Sequence, residues 1–419
     1  MEHIYLCIDL KSFFASVECA ERGLDAMTTN LVVADPDRGR GTICLAITPA
    51  MKALGIKNRC RVFQIPEHVK YIMASPRMQL YIDYSANIYA IYLRYISKDD
   101  IQVYSIDEAF LDVTKYLDLY RMDAREIGIM IMSDIYNEMH IRATCGIGTN
   151  LYLTKIALDI TAKHSPDFIG YLDEKKYCAT LWNHKPLTDF WRIGPGTARR
   201  LGTFGITTMG EIAHTDESML YKYFGMDAEY LIDHAWGREP TTIAEIKAYK
   251  ASSNSLSSGQ VMLRDYSYDE IIVIVKEMTE LLVLDLIDKG LVTDNLSLYI
   301  GYSKDTVRGT GGSCTLTSAT DSLKILTSKL LEIYESHTFR EIPIRRVAIS
   351  FNNVEDVAYE QYDIFSDPAE LEKERKVQCA VLDIKRKYGK GSIIKGMNLL
   401  QEGTTMQRNH QIGGHKSGL

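Results

Sequence analysis

The sequence predicts a multidomain α+β chain, and three observations carry the prediction. The first 168 residues alternate short apolar strands with amphipathic helices. Residues 169–240 lose the strand pattern and are punctuated by Gly194, Gly196, Gly202, Gly205, Gly210 and Gly225, as a small helical domain would be. Strand patterns return over 255–360, with two long helices among them. A length of 419 residues allows roughly two to four domains at ~150 residues each.

Taken in order, residues 3–8 read as an apolar strand and 12–21 as a helix with Ser12 placed to cap it. Residues 31–34 and 42–47 are strand-like, and 49–54 is a short helix opened by Pro49. A long helix pattern covers 78–96. Two short strands, 102–106 and 109–113, are joined at Asp107 and Glu108. A helix at 124–139, a strand at 142–147 and a helix at 151–163 complete this part. Strands separated by helices give an α/β or α+β core. Residues 241–254 read as a linker. Beyond it come strands at 296–302, 312–316 and 346–351 and helices at 269–287 and 322–337, then a tail over 361–419.

Apolar residues make up 46% and charged residues 25%, which excludes disordered and low-complexity classes. The most apolar run, 271–287, is broken by Lys276, Glu277, Glu280 and Asp285, so it is not a membrane span. The first residues, MEHIYLCIDL, carry no secretion signal, and a cytoplasmic location is expected. The eight cysteines, at 7, 19, 44, 60, 145, 178, 314 and 379, include no CxxC pair and read as buried thiols. A net charge of −7 argues mildly against a nucleic-acid partner, but the distribution is uneven. Lys373, Arg375, Lys376, Lys385, Arg386, Lys387, Lys390 and Lys395 face only Glu374 and Asp383 within 373–395. That run is either a solvated helix face or a place where the chain meets an anion.

The chemistry is concentrated in three acids. Asp9 ends the apolar strand CIDL, and SIDEAFLD at 105–112 sets Asp107 and Glu108 in a turn between two strands. A lone aspartate at a strand end is ordinarily a turn residue. Three carboxylates at the ends of strands in one sheet repel one another, and a divalent cation relieves the repulsion. Oxygen ligands without His or Cys fit magnesium. Two such ions suit nucleotidyl transfer.

Four stretches carry a resemblance: CIDLKSFFASVE at 7–18, SIDEAFLD at 105–112, CGIGTNLYLTKIALDITAK at 145–163 and FWRIGPGTARRLGTFGI at 190–206. Together, in this order, they resemble the Y-family translesion DNA polymerases, closest to the bacterial UmuC-like branch (the ImpB/MucB/SamB family). The resemblance implies a right-hand polymerase: palm over 1–10 and 78–168, fingers over 11–77, helical thumb over 169–240 and little finger over 255–360. It implies Asp9, Asp107 and Glu108 as catalytic metal ligands for two Mg²⁺ ions, with the backbone oxygen of Leu10 as a further ligand. Phe14 matches the steric gate that rejects a ribose 2′-hydroxyl, while Phe13 packs inward. The amides of Ser12, Phe13 and Phe14 stand at a helix start suited to triphosphate oxygens. Lys52 and Lys163 match triphosphate-binding cations, and Thr48 is a candidate hydroxyl donor. The run TPAMKALG departs from relatives that carry a Tyr and an Arg there. A lysine grips phosphate as a point charge, without the bidentate fork of arginine.

The stretch at 190–206 also reads by itself as a helix-hairpin-helix element. Gly194 and Gly196 expose backbone amides to DNA phosphate, and Arg199 and Arg200 open the second helix with charge. QYDIF at 361–365 resembles a sliding-clamp-binding peptide through Gln361, Ile364 and Phe365; the other reading is a last edge strand. The implied partners are primer-template DNA, deoxynucleoside triphosphates and the sliding clamp. UmuC relatives also work with a UmuD-like protein and RecA, though no residue here reveals either contact. No proofreading domain is legible. The residues argue against two other functions. A palm-fold nucleotide cyclase lacks its GGDEF-like signature here and leaves some 250 residues without a role. A DNA-binding regulator that had lost catalysis would not need all three acids.

Overall fold

The computed structural model describes residues 3–251, 254–303, 307–357 and 367–418. The chain divides into two compact units, the first ending at Tyr249 and the second beginning at Lys250.

The first unit starts with β1 (Tyr5–Leu10), α1 (Phe13–Ala20), β2 (Leu31–Val33), β3 (Ala46–Ile47), α2 (Pro49–Ala53) and β4 (Ile72–Ala74). It continues with α3 (Met78–Tyr95), β5 (Ile101–Ser105), β6 (Glu108–Asp112), α4 (Thr114–Tyr120), α5 (Ala124–Met139) and β7 (Ala143–Gly148). Next come α6 (Leu151–Ile156), a π turn (Ala157–Thr161) and β8 (Ile169–Leu172). The main sheet has the order β5-β6-β1-β7-β8, with β1 antiparallel to both neighbours and β7 parallel to β8.

The apolar run Tyr5–Ile8 of β1 follows from burial on both faces. Leu6, Ile8 and Leu10 join a core with Ile88 and Ile91 of α3 and Ile127, Ile131 and Ile135 of α5. Tyr5 and Cys7 point the other way, to Phe110, Leu151, Leu158 and Ile243. The two-residue alternation of a strand sorts the side chains between these cores.

Glycines bring α6 and the π turn unusually close to the sheet. A β-carbon on Gly146 would lie 2.3 Å from the Thr154 carbonyl oxygen, and one on Gly170 would lie 2.5 Å from that of Ala157. Backbone thus packs on backbone, and no side chain can be inserted. Gly170 lies in β8, a strand inside the region where strand signals were expected to vanish. IGYL is too short and too glycine-bearing to read as a strand, and only its pairing with β7 makes it one.

A second sheet, β3-β2-β4, has its own core of Val32, Cys44, Ile47, Met51, Ile56, Val62 and Ile65. The chain folds back so that Cys44 N–H donates to the Cys60 carbonyl at 2.8 Å, bringing together two cysteines that no sequence spacing paired. Burial, then the neighbouring Cys60, pushes the Cys44 thiol up to about 12. Cys7, Cys19 and Cys145 are buried as well, whereas Cys379 is exposed.

After β8 the chain is helical: α7 (Glu174–Leu181), α8 (Pro195–Gly202), α9 (Met209–Ala213), α10 (Glu217–Phe224), α11 (Asp227–Ala235) and α12 (Ile243–Ala248). Helix α12 lies within the stretch that read as a linker. Its Thr242–Glu245 capping box and the buried Ile243 make it an ordered part of the first unit.

The second unit contains β9 (Leu256–Tyr266), α13 (Tyr268–Lys289), β10 (Leu291–Tyr302), β11 (Thr310–Thr320), α14 (Leu323–His337), β12 (Ile344–Asn352) and β13 (Glu355–Asp356). Its sheet runs β11-β10-β12-β9, with α13 and α14 supplying the apolar side of the core. Strand β9 was not expected, because SSGQVMLRD has few apolar residues and is exposed at most of them. Then follow α15 (Pro368–Tyr388), α16 (Thr405–Asn409), β14 (Gln411–Ile412) and β15 (His415–Lys416).

This last segment packs onto α13. The Glu277 carboxylate is buried there and accepts from Asn398 Nδ2 at 3.0 Å, Thr404 N–H at 2.8 Å and Thr404 Oγ1 at 3.0 Å. The basic run meets acids of its own chain. Arg386 pairs with Asp288, Arg375 with Asp321 at 3.4 Å and Lys395 with Glu280 at 3.7 Å. Among the described residues, no helix is long and apolar enough to cross a membrane.

Gly146→Ala is expected to destabilise the protein by roughly 2 kcal/mol or more, since a methyl group there must move the backbone of α6. A denaturant midpoint equal to the parent's would refute the close-packing account.

Candidate active site

β1 and β6 pair so that Asp9 stands opposite Glu108. Ile106 and Asp107 form the turn, and Glu108 is already the first residue of β6 rather than part of the turn. Leu10 N–H donates to the Asp107 carbonyl at 2.9 Å, and Ser85 Oγ of α3 donates to that of Ile106 at 2.6 Å. The turn is therefore tied to the end of β1, and the three acids lie at the same end of this inner strand pair. Ser105 Oγ donates to Asp107 Oδ1 at 2.6 Å. Burial lifts the Asp9 carboxyl to about 6; Asp107 and Glu108 add to the rise, and Lys163 and Lys155 oppose it.

Glu108 is compensated from beneath. Lys155 Nζ of α6 donates to its Oε2 at 2.7 Å, and Cys7 Sγ donates to its Oε1 at 3.2 Å. Lys155 is 8% exposed and also meets Asp159 at 3.1 Å, and Asp159 in turn takes Lys163 at 2.7 Å. Burial disfavours the Lys155 ammonium, but Glu108, Cys7 and Asp159 outweigh it and raise its pKa. Sequence reasoning missed Lys155 and Asp159. Their i, i+4 spacing was visible, but a lysine inside an apolar helix reads as surface until the fold buries it.

In α1, which follows β1, the Phe14 ring stacks on Tyr81, with centroids 4.6 Å apart and planes 16° from parallel. Phe13 is buried, as expected. Tyr81 donates to Glu18 Oε1 at 2.8 Å, and Arg77 grips both Glu18 oxygens at 3.0 and 2.9 Å. Burial works against the Glu18 charge, but bonds from Arg77, Arg22 and Tyr81 hold its pKa below the usual carboxylate range. Tyr81 and Glu18 were not identified from sequence, because nothing local links residues 63 positions apart.

The cations gather near Asp9. Lys163 is half-exposed; burial opposes its charge, but Asp9 and Asp159 raise its pKa. Partial desolvation, with repulsion from Lys163, lowers Lys52 against the pull of Asp9. Lys11, another residue that sequence reasoning missed, lies 3.9 Å from the centroid of the Phe168 ring. Its pKa is lowered by burial and then by Lys52.

Two expectations need correction. Thr48 is fully buried, and its hydroxyl accepts the Leu31 N–H at 3.2 Å, so it supports β2 rather than facing the cleft. Ser12 occupies the position before α1, but with φ 50° and no side-chain cap bond. Its buried Oγ has no hydrogen-bond partner among the described residues.

Farther along, Gly194 and Gly196 are exposed at the start of α8, preceded by the short 3₁₀ turn Leu187–Asp189 rather than by a full helix. Arg199 and Arg200 sit in the last turn of α8, not at its opening, and both are exposed. Gln361, Ile364 and Phe365 lie outside the described residues.

The donor chemistry of Asp9, Asp107 and Glu108 fits a hard divalent cation, since burial and mutual repulsion leave Asp9 short of compensating charge. The side chains as placed do not converge. Among the described residues, no three His, Cys, Asp or Glu side chains gather around one point, and Glu108 is turned to Lys155.

Residues 8–159 match the impB/mucB/samB family, and 253–364 match the impB/mucB/samB family C-terminal domain. A Bacillus subtilis (strain 168) relative, UvrX, whose name ties it to UV-damage repair, is 32% identical over 98% of this chain and 97% of its own. DNA polymerase IV 2 of the same organism is 28% identical over 99% of both chains. The fold is similar to a solved Y-family DNA polymerase chimera of Dbh and Dpo4, with TM-score 0.66 and 20% identity, over 84% of this chain and 99% of that one.

The raised Asp9 value has a stability consequence. The ionised form is disfavoured in the folded state, so its cost is full above pH 6, shrinks as pH falls and vanishes below the ordinary value of 3.8. In metal-free buffer at pH 7, Asp9→Asn is expected to gain on the order of 1–3 kcal/mol. The gain should be gone by about pH 4. Equal melting of parent and variant at pH 7 would contradict the account.

Proposed function

The chain belongs to the impB/mucB/samB family, and we propose from that premise how its cleft extends DNA past damaged bases. It is a DNA-directed DNA polymerase of the Y family and acts on primer-template DNA and deoxynucleoside triphosphates. One observation supports the division of roles: Asp9 faces Glu108 across β1 and β6, with Lys163 and Lys52 close enough to act on the Asp9 charge. We assign the five-stranded sheet as palm, the β3-β2-β4 module as fingers, α7 to α11 as thumb and the second unit as little finger.

Asp9, Asp107 and Glu108 would hold divalent cations, which we take to be two Mg²⁺ ions that activate the primer 3′-hydroxyl and stabilise the departing pyrophosphate. Lys163 and Lys52 bind the triphosphate as point charges, and the first amides of α1 face its oxygens. Phe14 forms the floor under the sugar, and Tyr81 behind it keeps the ring from yielding to a 2′-hydroxyl. Gly194 and Gly196 offer amides to a DNA phosphate, with Arg199 and Arg200 adding charge at the far end of α8. We further propose that QYDIF tethers the enzyme to the sliding clamp, which would raise its effective concentration at the primer end. No residue described here bears on a UmuD-like or RecA partner.

Primer extension tests the carboxylates directly. Asp107→Ala and Glu108→Ala should each abolish extension while primer-template affinity stays within about tenfold, a small fraction of a binding energy. Extension at the parent's rate by either variant would remove the assignment. Phe14→Ala should incorporate ribonucleotides; discrimination as strict as the parent's would place the gate elsewhere. Replacing both Ile364 and Phe365 by Ala should abolish stimulation by the clamp and leave synthesis on short primers intact. Loss of both activities together would make the segment structural.

A further inference from the structure

Asp159 is not one of the three acids of the site, and its two oxygens are divided between two cations. Oδ2 meets Lys155 at 3.1 Å and Oδ1 meets Lys163 at 2.7 Å. A carboxylate between lysines on a helix surface is normally a weak and mobile stabiliser. This one is anchored. Lys155 is 8% exposed and is itself held at 2.7 Å by Glu108, which is 7% exposed. The result is an alternating row, Glu108, Lys155, Asp159, Lys163, running from beneath the acids to a lysine that acts on the Asp9 charge.

The backbone beneath the row is equally constrained. Asp159 lies in the π turn Ala157–Thr161, a helical irregularity that recurs at functional sites. That turn is pressed against the glycines of β7 and β8: a β-carbon on Gly146 would lie 2.5 Å from the Leu158 nitrogen, and one on Gly170 2.8 Å from that of Ala162. The turn therefore cannot shift to follow Lys163; Lys163 has to follow the turn.

We propose that Asp159 is a positioning residue for nucleotidyl transfer: anchored by Lys155, it aims the Lys163 ammonium at the triphosphate. The proposal rests on the reading of Lys163 as a triphosphate-binding cation. It separates two quantities. Asp159 is an anion near bound phosphates, so neutralising it does not weaken their attraction to the site. It does release Lys163 from its fixed place, and misplacement is felt in the rate.

The test measures nucleotide affinity and maximal incorporation rate separately, by single-turnover kinetics on the full chain, for D159N, K163A and the double variant. Melting temperatures are taken alongside. K163A should weaken nucleotide binding by about tenfold, as loss of one charge-assisted contact does. D159N should lower the maximal rate by roughly fivefold, with affinity unchanged or tighter and melting within a degree or two, as for a surface change. D159N should have no further effect in the K163A background, and Asp159→Glu should recover part of the rate. A silent D159N beside a normal K163A loss overturns the positioning role alone. So does a D159N that loses rate, affinity and melting temperature together, or one that acts equally without Lys163. Unchanged affinity in K163A overturns the reading of Lys163, and the proposal with it.

Discussion

The first unit is organised around one buried contact, the Lys155 ammonium on the Glu108 carboxylate. Neither charge could be buried alone, and removing one partner of such a pair typically costs about 3–5 kcal/mol. The contact requires α6 to lie against the sheet closely enough for a lysine stem to reach the first residue of β6. That requirement explains the glycines at 146, 148 and 170, where any β-carbon would strike helix backbone. It also explains why Cys7, an apolar-looking residue of the central strand, ends with its thiol on the same carboxylate. The acidic end of the strand pair is left with one compensated acid and one, Asp9, that is under-compensated and raised to about 6. The cations proposed for this site would relieve such an imbalance.

The same logic applies one layer away, at Glu18. A fully buried carboxylate is sustained by Arg77, Arg22 and Tyr81. Its structural output is the orientation of Tyr81, and hence a flat aromatic support behind Phe14. A floor made of one ring could tilt away from a larger sugar. In the role proposed for Phe14, a floor backed by a second ring, itself hydrogen-bonded to a buried anion, would resist that motion.

In the second unit, Glu277 does for the C-terminal segment what Glu108 does for α6. It collects a side-chain amide, a hydroxyl and backbone N–H groups from residues 398–405, which fastens that segment to α13. Arg386 and Arg375 of α15 then pair with Asp288 and Asp321, and Lys395 beyond the helix pairs with Glu280. The run is mostly exposed, and these pairs are with the chain's own acids, as a solvated helix face allows; they do not bear on the other reading, an anion brought by a partner. A net basic stretch in an acidic chain is thus no guide by itself to a nucleic-acid partner.

Local pattern was enough where the deciding interactions are local. The apolar strand β1, the helices at 78–95, 124–139 and 268–289, and the placing of Asp9, Asp107 and Glu108 at strand ends were all legible, because periodicity and turn position are properties of neighbouring residues. Strands β8 and β9 were not, since IGYL and SSGQVMLRD become strands only through the partners that β7 and β12 offer them. The roles of Lys155, Asp159, Lys11 and Tyr81 were hidden for a related reason. A charged or hydroxyl-bearing side chain has no fixed meaning until the fold decides whether water or a buried partner receives it. Thr48 and Ser12 make the converse point. Thr48 was legible as a hydroxyl donor and Ser12 as a helix cap, but burial turned the first to a backbone amide of β2 and left the second without a partner among the described residues. Residue type and spacing determined which chemistry this chain could carry. Long-range packing, which sets burial and therefore the cost of every charge, decided which side chains carry it.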